Sequence, residues 1–132
     1  MKFNPKLKAD VAKYINYTII VEGKKDVLSL NNLGFQKVYA IHESGKSIKE
    51  RVEEISKKIE KREKLCILTD FDKKGKKLYF MLKSLFQEFG VKTDSTLRGL
   101  LLLSGMSHIE GLSSFMKKAT YETKIKERWE VR

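Results

Sequence analysis

Apolar residues along the chain fall into short blocks with two alternating periodicities. Phe3, Leu7, Val11 and Tyr14/Ile15 recur at helical spacing after Asn4-Pro5, a cap followed by a proline suited to the first helical position, which predicts a helix over 5–15. Tyr17–Val21 (YTIIV) is a continuous β-prone run of the kind buried on both faces of a sheet. Asp26–Leu33 reads as a short helix closed by Gly34, and Lys37–Ile41 as a second strand. Ser47 caps a helix whose apolar stripe is Ile48, Val52, Ile55 and Ile59. Leu65–Thr69 (LCILT) is a third buried strand. In Gly75–Phe89 the residues Leu78, Met81, Leu82, Leu85, Phe86 and Phe89 keep helical spacing until Gly90, and Val91–Thr93 is a short fourth strand. Helices follow over Thr96–Leu103 and Ile109–Ala119, the second with Leu112, Phe115, Met116 and Ala119 on one face, and then a charged helical tail, Thr120–Arg132, carrying Trp129. Strands alternating with helices predict an α/β fold with a parallel sheet of about four strands, helices on both faces, and helical extensions at either end. No linker divides the chain, so 1–132 is expected to be one domain.

Charge narrows the range of partners. The formal net charge is +11 and the pI about 9.7, so the molecule attracts polyanions, with nucleic acid the first expectation. No apolar run approaches the roughly 18 residues of a membrane span, and Met1–Asn16 lacks a signal-peptide pattern, so a cytoplasmic protein with no membrane partner is expected. One cysteine, Cys66, excludes an internal disulfide and a thiolate zinc site. The charged fraction of 34%, rich in Lys and Glu, is the bias of proteins from hot environments.

In open parallel sheets ligands lie beyond the carboxyl ends of strands, which directs attention to the loops at Glu22, His42 and Asp70. The first strand runs into Glu22-Gly23-Lys24-Lys25-Asp26, the third into Asp70-Phe71-Asp72-Lys73-Lys74-Gly75. Asp70 and Asp72, two apart in extended chain, point the same way. If the first and third strands are neighbours, Glu22 faces that pair. Two carboxylates about 4 Å apart repel by roughly 4 kcal/mol at an effective dielectric of about 20, so three of them call for a cation, and an all-oxygen set suits Mg²⁺ with Mn²⁺ as substitute. Asp26 has two readings, as a cap of its own helix and as a supporter of the metal. Lys24, Lys46, Lys73 and Lys74 surround the acidic set as candidate phosphate-binding groups; a solvated helix start is the alternative. His42 and His108 read as ordinary polar positions and Cys66 as a buried strand residue.

Val21–Asp26 (VEGKKD) with Leu68–Gly75 (LTDFDKKG), and Gly45 after the second strand, resemble the Toprim domain shared by topoisomerases, bacterial-type primases, certain nucleases and recombination proteins. The resemblance spans about 17–105 and is strongest to the small stand-alone Toprim proteins of archaea. Gly105–Leu112 (GMSHIEGL) is similar to a stretch late in the Toprim ribonuclease that matures 5S ribosomal RNA. The resemblance implies a Rossmann-like sheet, metal binding by Asp70 and Asp72, Glu22 as general acid/base and Asp26 in support.

Rival readings explain less. As a calcium loop the Asp70 segment would need ligands at Lys74 and Met81. A dehalogenase-type phosphatase expects Thr or Val at Lys74 and leaves Glu22 unexplained. Ala40–Ser47 (AIHESGKS) reads as a P-loop with Ala for its first Gly, a nucleotide binder that leaves Glu22, Asp72 and Gly75 without roles. Topoisomerase chemistry needs a tyrosine on a second domain, and primases a zinc module. The expectation is therefore Mg²⁺-dependent nucleic-acid processing, most simply nuclease-like hydrolysis; the competing class is a non-catalytic RNA- or DNA-binding module that acts with partners.

Overall fold

Residues along the central strand face opposite ways, and this alternation organises the two halves of the core. A computed structural model describes residues 5–60 and 62–112. In chain order the elements are α1 (Pro5–Ala12), β1 (Thr18–Val21), α2 (Lys24–Asn32), β2 (Val38–Ala40), α3 (Ile48–Lys58), β3 (Leu65–Ile67), α4 (Lys73–Glu88) and α5 (Thr96–Leu103), followed by a single 3₁₀ turn at Ile109–Gly111. Ile19 and Val21 of β1, with Cys66 and Leu68 at β3, pack against Leu7, Val11, Leu30, Leu97 and Leu101 from α1, α2 and α5. Ile20, Leu65 and Ile67 point the other way, onto Val52, Ile55, Leu78, Leu82 and Phe86 from α3 and α4. Ile19, Ile20 and Val21 have no exposed surface, and each contributes about 1.5–3 kcal/mol through burial. That two-sided burial is why YTIIV is apolar without alternation.

The sheet is parallel throughout, in the order β2-β1-β3, with Ile19 paired to Val38 on one side and to Cys66 on the other. The chain leaves β1 for β2 through α2, then crosses back through α3 to β3 on the far edge of β1. The carboxyl ends of β1 and β3 therefore flank the point where the strand order reverses, the crevice in which such sheets hold ligands.

Three expectations change. The fourth strand reduces to one parallel bridge between Thr93 and Leu65. The Val91 amide is spent closing α4 on the Phe86 carbonyl, and the Asp94 side chain turns to accept from Thr96 N–H, so too little extended chain remains for a ladder. The first helix stops at Ala12, after which turns carry Tyr14 and Ile15 against the core. The helices expected from Asp26 and Gly75 begin at Lys24 and Lys73, because the main chain turns helical directly after the strand-end loops. Of the helix expected over Ile109–Ala119, only its start, a 3₁₀ turn, lies within the described residues; Phe115, Met116, Ala119 and the tail with Trp129 lie outside them. Among the described residues no helix is long and apolar enough to cross a membrane.

Candidate metal centre

Glu22 leaves the buried end of β1 half-exposed, and its Oε2 accepts from the Asp70 main-chain N–H at 3.4 Å. The neighbourhood of β1 and β3 that the sequence argument required is thus present. Burial, reinforced by the Asp70 carboxylate and by the charge of Asp26, pushes the Glu22 carboxyl up to about 7. Asp26 is buried, and its Oδ2 accepts from Gly23 N–H at 3.1 Å, so it caps α2 from within the first turn. Its carboxyl is also raised, by burial first and then by Asp70 and Glu110, which places it in the electrostatic reach of the acidic set while its oxygen is used by the helix.

At the end of β3 the two aspartates divide their oxygens. Asp70 Oδ1 accepts from Ile109 N–H at 2.9 Å, and Asp72 Oδ1 accepts from Gly75 N–H at 2.7 Å, capping α4. Gly75 is required by proximity: a Cβ there would sit 2.0 Å from the Asp70 carbonyl oxygen. Thr69 Oγ1 donates to the Gly75 carbonyl at 2.6 Å and ties the first turn of α4 to the strand. The Phe71 N–H donates to the Ser107 carbonyl at 2.9 Å, so the segment before the 3₁₀ turn is laid along the Asp70–Asp72 loop.

Two residues at this centre escaped the sequence argument. Arg98 of α5 is buried, donates to the Thr69 and Asp70 carbonyls at 2.6 and 3.2 Å, and lies between the rings of Phe71 and Tyr79, 4.6 and 4.5 Å from their centroids. Its only sequence signal is an arginine in an otherwise apolar helix, TLRGLLLL. His108 brings Nε2 to 3.9 Å from Asp72 Oδ2, and one ligand atom each of Asp70, Asp72 and His108 falls within 4.8 Å of the others. Glu22 reaches this trio from the neighbouring strand, through the Asp70 amide.

The lysines separate into two groups. Lys24, Lys73 and Lys74 are exposed in the first turns of α2 and α4, beside the acidic set. Lys46 lies in the loop after the edge strand β2, where Glu54 and Glu43 neutralise its ammonium, and Ser47 Oγ is spent on the Glu50 amide that opens α3. The lysine and hydroxyl of the Ala40–Ser47 segment are thus engaged within the protein, beyond the edge strand and away from the Glu22–Asp70 strand ends.

Comparison with known proteins identifies the family to which this fold belongs. The Toprim domain family matches residues 18–98, from the first residue of β1 to the arginine that holds the Asp70 loop. The chain belongs to the Toprim family. Toprim domains bind divalent metals and generally act on nucleic acids. Among curated relatives, a UPF0292 protein of Methanosarcina barkeri is 34% identical over 82% of this chain and 71% of its own length. One of Methanocaldococcus jannaschii is 31% identical over 78% of this chain and 80% of its own. These relatives are small archaeal UPF0292 proteins, consistent with this chain being a stand-alone archaeal Toprim protein, as the VEGKKD and LTDFDKKG motifs imply. A solved structure of a protein from Aquifex aeolicus superposes with a TM-score of 0.65 at 25% identity, over 80% of this chain and 94% of that one.

Proposed function

We propose that this Toprim protein is a divalent-metal-dependent, nucleic-acid-processing domain that hydrolyses phosphodiester bonds in the cytoplasm. The observation that carries the reading is the meeting of two strand ends: Asp70 and Asp72 on one side and Glu22 on the other, linked through the Asp70 amide. The donor chemistry fits a hard dication. Each aspartate gives one oxygen to a main-chain N–H and retains a second, and oxygen ligands of this kind suit Mg²⁺ or Mn²⁺. Asp70 and Asp72 would hold the ion, which when bound supplies Lewis acidity toward a phosphoryl oxygen. Glu22, set apart on β1 and half-exposed, is placed to hold or move a proton at a substrate oxygen. The exposed Lys24, Lys73 and Lys74, with the N-terminal turns of α2 and α4, offer positive potential for the phosphate backbone.

The test is incubation of labelled single- and double-stranded DNA and RNA with Mg²⁺ or Mn²⁺, with Glu22→Gln alongside. Glu22→Gln is expected to retain nucleic-acid binding while turnover falls by about 10²- to 10⁴-fold, the usual contribution of a positioned acid or base. Binding with cleavage of none of the four substrates would instead make the chain a non-catalytic binding module.

A further inference from the structure

The geometry points to His108 as a third ligand of the ion held by Asp70 and Asp72, one that biases the site toward a first-row transition-metal dication over Mg²⁺; this rests on the metal reading above. Two main-chain bonds straddle the histidine. The Ser107 carbonyl accepts from Phe71 N–H at 2.9 Å, and Ile109 N–H donates to Asp70 Oδ1 at 2.9 Å, so both neighbours of His108 are bonded to the loop that carries the aspartates. Met106 and Ile109 are buried on either side as anchors. The imidazole itself is exposed over the loop, with Nε2 3.9 Å from Asp72 Oδ2. Its other nitrogen, Nδ1, lies 3.0 Å from Ser107 Oγ. A neutral ring with its proton on Nδ1 donates there and leaves the Nε2 lone pair toward the aspartates, the arrangement in which a metal-bound histidine is oriented by a partner on its far nitrogen.

Three donors whose atoms lie within 4.8 Å of one another fit one cation, and the exposure of His108 and Asp72 leaves room for water or a phosphate oxygen in the remaining positions. Mg²⁺ prefers an all-oxygen shell, whereas imidazole nitrogen adds affinity for transition metals. His108 therefore adds selectivity to a site that two carboxylates alone would leave to Mg²⁺.

The probes are Mn²⁺ alone and Mg²⁺ alone, added to the full chain without a histidine tag and followed by calorimetry and, for Mn²⁺, pulsed electron paramagnetic resonance. Mn²⁺ on the wild-type chain is expected to show imidazole nitrogen coupling, which His108→Ala removes and His42→Ala does not. His108→Ala is expected to weaken Mn²⁺ binding by about 10-fold or more, the scale seen when one residue supporting a metal site is lost, and to leave Mg²⁺ binding nearly unchanged. Asp70→Asn/Asp72→Asn is expected to abolish both. If that double variant loses Mn²⁺ but the wild-type spectrum carries no nitrogen coupling, His108 is merely an ion-pair partner of Asp72 and the inference falls alone. If the wild-type chain binds no Mn²⁺, or the double variant binds it as well as the parent, the metal reading falls and the inference with it. The wild-type spectrum decides ligation without relying on any variant's folding.

Discussion

Glu22 follows Ile19, Ile20 and Val21, which have no exposed surface, and the main chain carries its carboxyl to a strand end shared with Asp70. Burial, then the nearby carboxylate of Asp70 and the charge of Asp26, hold its proton up to about pH 7, against an ordinary value of 4.5. A carboxyl raised on folding binds its proton more tightly in the native state, so its stabilising contribution is complete below the unfolded value and is lost as pH rises through about 7. Asp26 is raised in the same direction. The metal-free protein, kept in chelator, is therefore expected to melt at a lower temperature at pH 8 than at pH 5. Glu22→Gln is expected to flatten that dependence, leaving the part due to Asp26. Thermal melts of parent and variant across this window check it, and identical slopes would place the repulsion elsewhere.

α4 begins where three local devices coincide. Asp72 caps it, Thr69 clasps the Gly75 carbonyl, and Gly75 lets the helix start against the Asp70 carbonyl with no intervening side chain. From the opposite face of the sheet, α5 delivers Arg98 to the Thr69 and Asp70 carbonyls, so the aspartate loop is gripped by two helices. Gly75→Ala would put a methyl group 2.0 Å from backbone that cannot turn aside, forcing α4 and the Asp70 strand end apart. Overpacking of this kind typically costs about 1–3 kcal/mol, and here it falls on the loop that carries Asp70 and Asp72 as well. Gly99→Ala is the matched control, since Gly99 lies within α5 and a Cβ there meets nothing within 4 Å. It is expected to raise stability by about 0.4–1 kcal/mol, mainly through the unfolded chain. Urea denaturation of both variants, with Mn²⁺ calorimetry on the first, reads the difference.

Across the whole molecule the net charge of +11 gives a long-range attraction for polyanions, and the fold decides which lysines stand open beside the acidic set. Lys24, Lys73 and Lys74 are exposed in the turns that open α2 and α4, whereas Lys46 is held by Glu54 and Glu43 beyond the edge strand. Nucleic-acid affinity is expected to fall steeply with salt. Replacing Lys24, Lys73 and Lys74 together should reduce the log–log slope by about 0.9 per lost phosphate contact on duplex DNA, or about 0.7 on single strands. Lys46→Ala should leave the slope unchanged, because its charge is already balanced. An unaltered slope in the triple variant would move the binding face away from the acidic centre.

Buried strands and long amphipathic helices were legible in the sequence because each records a local requirement. YTIIV and LCILT are apolar throughout because the sheet is covered on both faces, and the α4 stripe repeats at helical period because one side meets the core. The pairing of VEGKKD with LTDFDKKG was legible for a similar reason: turning a strand directly into a helix beside acidic side chains restricts the residues on the spot, down to a glycine at position 75. Tertiary structure alone decided what depends on chain partners far apart. Whether Val91–Thr93 forms a strand turned on where its amides bond, and one of them went to Phe86. Lys46 could be separated from Lys24 only once α3 had brought Glu54 beside it. Arg98 and His108 joined the centre through carbonyls and amides of the Asp70 loop, groups that every residue carries and that therefore leave no trace in side-chain pattern.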